Sequence, residues 1–276
     1  MALNPTQILY RDEYVASFEQ RQSYLRDSVT TEAMIKGASA VFLVTGKADT
    51  MKERGVDGLI PAASEIDTQV TITLKEMHHR ATATGFDIFG GQSDRRRILQ
   101  ERGMKAANKE MDDTILTALN ATTTNYNSGS AITLSYAKLV DIISDLYESE
   151  VDNDGMITCV WSPKTYARIL TFAQATSVDY VNSKPLVDSY QAPFRFLGAM
   201  HIMHPRVPGV GTSSAKNYVY HKAAIGHAID TGSIKVDVGY NGEHDYSYAR
   251  HSIYHGAKIL QNAGVIEVTT DDTASF

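Results

Sequence analysis

Residues 93–121 read SDRRRILQERGMKAANKEMDDTILTALNA, and this stretch decides the fold. Ser93 suits an N-cap, and Asp94 suits the positive end of a helix dipole. Met104, Ala107, Met111, Ile115 and Leu119 recur at three- and four-residue spacing and predict one apolar stripe. Arg95, Arg102, Lys105, Lys109, Asp112 and Asp113 are assigned to the opposite, polar face. At 1.5 Å per residue a helix from about Asp94 to about Ala121 is roughly 40 Å long. In a chain of 276 residues such a helix acts as a spine.

The segment before the spine is of another kind. Residues 46–65 hold Gly46, Gly55, Gly58 and Pro61 with no sustained periodicity, and a compact domain rarely keeps such a stretch without a use. Its flanks suit strands: Val41–Val44 on one side, and on the other Val70, Ile72 and Leu74 alternating with Gln69, Thr71, Thr73 and Lys75. The pattern predicts a protruding hairpin or loop. Residues 12–36 are polar with weakly helical spacing and read as an arm packed on something else.

After a polar break at 125–130, helix and strand alternate. Ser135–Ser149 predicts a short amphipathic helix with Leu139, Val140, Ile143 and Tyr147 inward. Met156–Trp161 predicts a buried strand, and Ser162-Pro163 opens a further helix. Phe194–Met203 holds another strand around Gly198, and residues 205–215 form a loop. Strands follow at 218–220, 234–238, 246–260 and 265–269, and a loose tail ends the chain at 271–276. The plan is an α+β body with an insertion at 130–231 and late strands returning to the spine helix.

Whole-chain properties narrow the function. Hydrophobic residues make up 43% and charged residues 21%, as in an ordinary globular protein. The net charge of −6, with scattered Lys and Arg, argues against gripping nucleic acid, while an acidic wall can still surround it. One cysteine, Cys159, precludes an intrachain disulfide. No signal peptide is apparent, and the longest apolar run, 38–44, is far short of a membrane span.

Candidate chemistry is sparse. His78-His79 with His201 and His204 invite a metal reading, but adjacent strand residues point to opposite faces. Asp152-Asn153-Asp154-Gly155 lacks the remaining ligands of a calcium loop and reads as an acidic turn. Residues 209–216 lack the glycine before the lysine that a phosphate loop needs. Cys159, in a predicted buried strand, reads as a packed thiol. No catalytic, cofactor-binding or metal-ligating residue is assigned.

The order of features, taken with Glu53–Pro61, Asp67–Leu74, Asp94–Leu119 and the later Tyr254-His255-Gly256-Ala257 and Gly264-Val265-Ile266, resembles the tailed-phage major capsid proteins of the Hong Kong 97-type fold, most closely those of short-tailed phages. The resemblance implies an N-terminal arm (1–45), an extension loop and backbone strand (46–75), a peripheral domain with the spine helix (76–129), an axial domain (130–231), returning peripheral strands (232–270) and a tail (271–276). It implies pentamers and hexamers of this chain in an icosahedral shell, assembled in the host bacterial cytoplasm and enclosing double-stranded DNA without sequence-specific binding. Implied inter-subunit contacts are Lys47, Lys52, Arg54, Gly55, Gly58 and Pro61. Expected partners are a separate scaffolding protein, a portal and possible decoration or cement proteins, with no membrane, no cofactor and no covalent crosslink. An encapsulin-type compartment and an enzyme with a dispersed site are the alternatives.

Overall fold

The computed structural model describes residues 20–60 with single gaps at 21, 34, 36, 49, 55, 57 and 59, then 66–85, 95–173, 193–230 and 235–275. The proposed cap, Ser93-Asp94, lies outside them, as do Gly55 and Pro61.

The spine is a continuous helix, α1 (Arg95–Leu119). It lies on a sheet built around one long strand. Strands β1 (Thr30–Ala33), β2 (Ser39–Thr45), β3 (Asp67–Thr73) and β4 (Lys75–Thr84) precede the helix. Strand β11 (Tyr246–Ile259) pairs antiparallel with β4 along one edge. Its other edge takes β10 (Lys235–Asn241) and then β9 (Ile225–Ile229), with β1 parallel outside β9. Alternation sends Ala249, His251 and Ile253 of β11 toward the helix, where Leu99 meets Ala83 and Ala249, and Met111 meets Ile253.

The second sheet runs in the order β12 (Val265–Thr270), β8 (Ala215–His221), β5 (Ile157–Trp161), β7 (Ala199–Met203), β6 (Phe194–Phe196). Only β5 and β7 are parallel neighbours. All five residues of β5 are buried because both faces are covered. Ile157, Cys159 and Trp161 face α2 (Tyr136–Glu148) and α3 (Pro163–Ile169), while Val160 faces Ile115, Leu116 and Leu119 at the end of the spine. The Ser162 side chain caps α3 as its sequence position predicts, and Ser135, read as the first residue of its helix, caps α2.

Several expectations are corrected. Met104 is 60% exposed, and Asp112 is fully buried instead of lying on the polar face. Val140 points outward, and Ile142 and Leu146 complete the buried side of α2. The described part of the polar N-terminal stretch, read as an arm, forms a 3₁₀ turn (Arg26–Ser28) and β1. Residues 39–45 pair with β3, so the strand flank read at Val41–Val44 extends to both sides. The strand expected at 194–203 is two strands joined by a turn, with Leu197 and Gly198 at positive φ. Strand β12 joins the second sheet, although Val265 packs near the spine. The described tail is tied down: Asp272 accepts from the Ser162 hydroxyl (2.8 Å) and the Gly211 amide (3.1 Å).

Candidate assembly interface

Strands β2 and β3 form an antiparallel pair of their own, from Ser39 opposite Thr73 to Thr45 opposite Asp67. Its base is anchored where Ala40 and Ile72 pack on Ala228 of β9, with Leu74 and Leu260 beside them. Beyond the base the hairpin leaves the body. Val41, Leu43, Met51, Val56, Ile60 and Ile66 are all more than half exposed.

Of the assigned contact residues, Lys47, Lys52, Arg54 and Gly58 are described along it. Lys47 makes an ion pair with Glu150, just past α2, joining the hairpin to the insertion. Both groups are about 70% exposed, so water screens the pair heavily. Arg54 donates from Nε to the Gly58 carbonyl at 2.9 Å and closes a tight turn. Gly58 has φ +76°, a left-handed conformation that a side chain disfavours. Lys52 is exposed.

A second apolar surface lies on β10. Val236, Val238 and Tyr240 pair with His251, Ala249 and Ser247, so they share the sheet face that carries the spine helix. The helix does not reach over them, and they are 52%, 44% and 60% exposed. Ala106 and Glu110 lie beside Met77 and His79 on the β4 flank. Met104, about 100° round from the sheet-facing Gly103, is turned off the sheet and exposed.

The four histidines considered for a metal go to separate places. His78 bonds to the Ser252 hydroxyl (2.8 Å), and its strand neighbour His79 faces the spine. His201 accepts from the Trp161 indole (2.9 Å), and His204 bonds Asp112 (3.4 Å). Burial holds His201 down at about 4. Among the described residues no group of three or more His, Cys, Asp or Glu could hold a metal ion. Cys159 is buried, which pushes its thiol up and leaves it a packed group. Asp154 closes the acidic turn by accepting from the Met156 amide (2.8 Å).

Sequence reasoning missed Asp112, which sits in a helix with polar neighbours. The only available signal was its position one residue past the stripe residue Met111.

Solved structures share this architecture from end to end. "Mycobacterium phage Che8" superposes with TM-score 0.78 at 17% identity, covering 99% of this chain and 100% of that one. The cyanophage P-SCSP1u capsid gives 0.74 at 12% identity, over 96% and 93%. The capsid of a native GTA particle gives 0.73 at 12% identity, over 98% and 95%. The fold is therefore the Hong Kong 97-type fold of phage shell subunits. Residues 4–272 match the family described as phage capsid protein, and the chain belongs to that family. It is a major capsid protein, a subunit of an icosahedral shell. No curated protein matches the sequence.

Proposed function

We propose that this chain tiles its shell as pentamers and hexamers, and that the β2–β3 hairpin lies across a neighbouring copy. It acts as a building block and not as a catalyst. In this reading the shell is assembled in the host cytoplasm with a scaffolding protein and a portal, and it encloses double-stranded DNA as an acidic wall. Lys47, Lys52, Arg54, Gly55, Gly58 and Pro61 belong to the contacting loop, and decoration proteins bind the finished surface.

The supporting observation is the distribution of exposed large apolar side chains. Six belong to the hairpin, and a second set, Val236, Val238 and Tyr240, lines one face of β10. Isolated exposed apolar residues are common, but two clustered surfaces on one subunit match what a closed, heterologous assembly must bury. Many such contacts, each modest, add up to a stable particle through multivalency.

Deletion of residues 47–64 tests the reading. The expected product is a cooperatively melting subunit that forms no closed particles by negative-stain microscopy, with or without scaffolding protein. Closed particles from the deleted chain would sink the loop assignment.

A further inference from the structure

In the middle of the spine helix Asp112 is fully buried, and the groups that bond it come almost entirely from one short segment. Its Oδ1 accepts from the Ser23 hydroxyl (2.6 Å) and the Leu25 amide (3.2 Å). Its Oδ2 accepts from the Gln20 side-chain amide, the Tyr24 backbone amide (3.1 Å) and His204 Nε2 (3.4 Å). A buried carboxylate without such donors is costly, so this one is useful only when the segment is seated.

A second element grips the same segment. His204 Nδ1 accepts from the Arg206 amide (3.2 Å), which leaves its Nε2 to donate to Asp112. The Tyr24 ring meets His204 edge-on at 6.0 Å. Arg206 donates to Asp113 (3.1 Å), to the Lys109 carbonyl (3.1 Å) and to the Gln20 side-chain oxygen (3.0 Å). Both ends of the Gln20 amide are therefore bonded, the NH₂ by the helix and the oxygen by the loop after β7. Leu25 and Val29 then enter the core beside Ile115 and Leu119.

We propose that Asp112, Asp113, His204 and Arg206 form a receptor for the segment 20–25, one that couples the course of the N-terminal arm to the placement of the β7 loop on the spine. The segment is held from two elements more than 90 residues apart. A displacement of the loop along the helix takes Arg206 from the Gln20 oxygen and His204 from Oδ2, the oxygen that also holds Gln20 and Tyr24, and leaves the Oδ1 bonds to Ser23 and Leu25 intact. Release is therefore graded, from Gln20 inward, and the arm reports the angle between the insertion and the spine. The effect on shell geometry rests on the capsid reading; the receptor itself does not.

Amide hydrogen exchange on the free, full-length subunit tests the receptor without needing shells. Arg206→Ala and Gln20→Ala are expected to speed exchange of the Tyr24 amide, which shares Oδ2 with Gln20, at least tenfold, with the Leu25 amide on Oδ1 still protected. Asp112→Asn is expected to extend the loss through Leu25, and peptides of β5 and α2 are expected to stay unchanged. If Asp112→Asn does not fold, the other two variants decide. Wild-type protection of the Tyr24 amide in Arg206→Ala would overturn the coupling. Loss of protection across the whole subunit would show a general packing role and would also overturn it.

Discussion

His227 and His255 sit with ring centroids 5.8 Å apart, both buried, and neither ring has a hydrogen-bond partner on either nitrogen among the described residues. Burial holds both down at about 4, with the charges of His255 and Arg26 adding to this at His227 and that of Lys75 at His255. An unfolded histidine takes up its proton near 6.5, so the unfolded chain binds more protons between about 6.5 and about 4. Stability contributed by these neutral rings is full above 6.5 and is lost as pH falls toward 4, by up to about 1.4 kcal/mol per pH unit per ring. Asp112 acts lower. Burial pushes its carboxyl up, but bonds from His204, Ser23, Tyr24 and Gln20 outweigh this and hold it below its ordinary value. Its contribution is present above the ordinary carboxylate range and is lost as pH falls through its folded value. Thermal melts of the subunit from pH 7 to pH 4 are expected to fall steadily, and His227→Leu/His255→Leu is expected to flatten that slope. An unchanged slope in the double variant would assign the acid sensitivity elsewhere. Neither group was visible as special in the sequence, because a histidine's burial depends on strands paired from distant parts of the chain.

At the scale of elements, the spine helix was legible and its facing residues were only partly so. The true stripe steps by four through Leu99, Gly103, Ala107, Met111, Ile115 and Leu119. A reading that looks for bulky apolar residues passes over Gly103 and takes Met104. The reason for glycine is His251, whose ring lies 2.0–2.6 Å from where a Gly103 Cβ would stand. Gly103→Ala is expected to destabilise the subunit by about 1–3 kcal/mol from overpacking, despite the better helix propensity of alanine. Pairing it with His251→Ala is expected to return most of that loss, as read from denaturant midpoints. A double variant that melts like the single one would refute the contact as the cause. The hairpin was legible for the opposite reason: its alternation and its paired flanks are local, and the pairing of 39–45 with 67–73 follows from them.

For the whole molecule, sequence patterns located most strands but could not assign them to sheets. Residues 265–270 alternate as any strand does, and their pairing with β8 instead of the spine-side sheet depends on tertiary packing. The β10 stripe was likewise legible as a strand and not as an uncovered face, since only the placement of the spine shows that it stops short. Val236→Thr/Val238→Thr/Tyr240→Ser is expected to leave subunit melting within about 0.5 kcal/mol per site, as at other exposed positions. The same variant is expected to raise the protein concentration at which light scattering reports particle formation. Normal assembly by this variant would remove the stripe from the interface.

The late position of β12 has a consequence for synthesis. Until residues 265–270 have left the ribosome, β8 has an open edge and the core shared by Val265, Ile266 and Val268 is unfilled. Domains emerge from synthesis in order and usually fold as units, but here the unit closes only when nearly the whole described chain is available. The hairpin, by contrast, is exposed early and is built from neighbours in sequence. A nascent chain thus carries the paired strands of the hairpin before the second sheet has its last strand. If the loop contacts a neighbour as proposed, its seat there is complete only on chains whose last strand is in place.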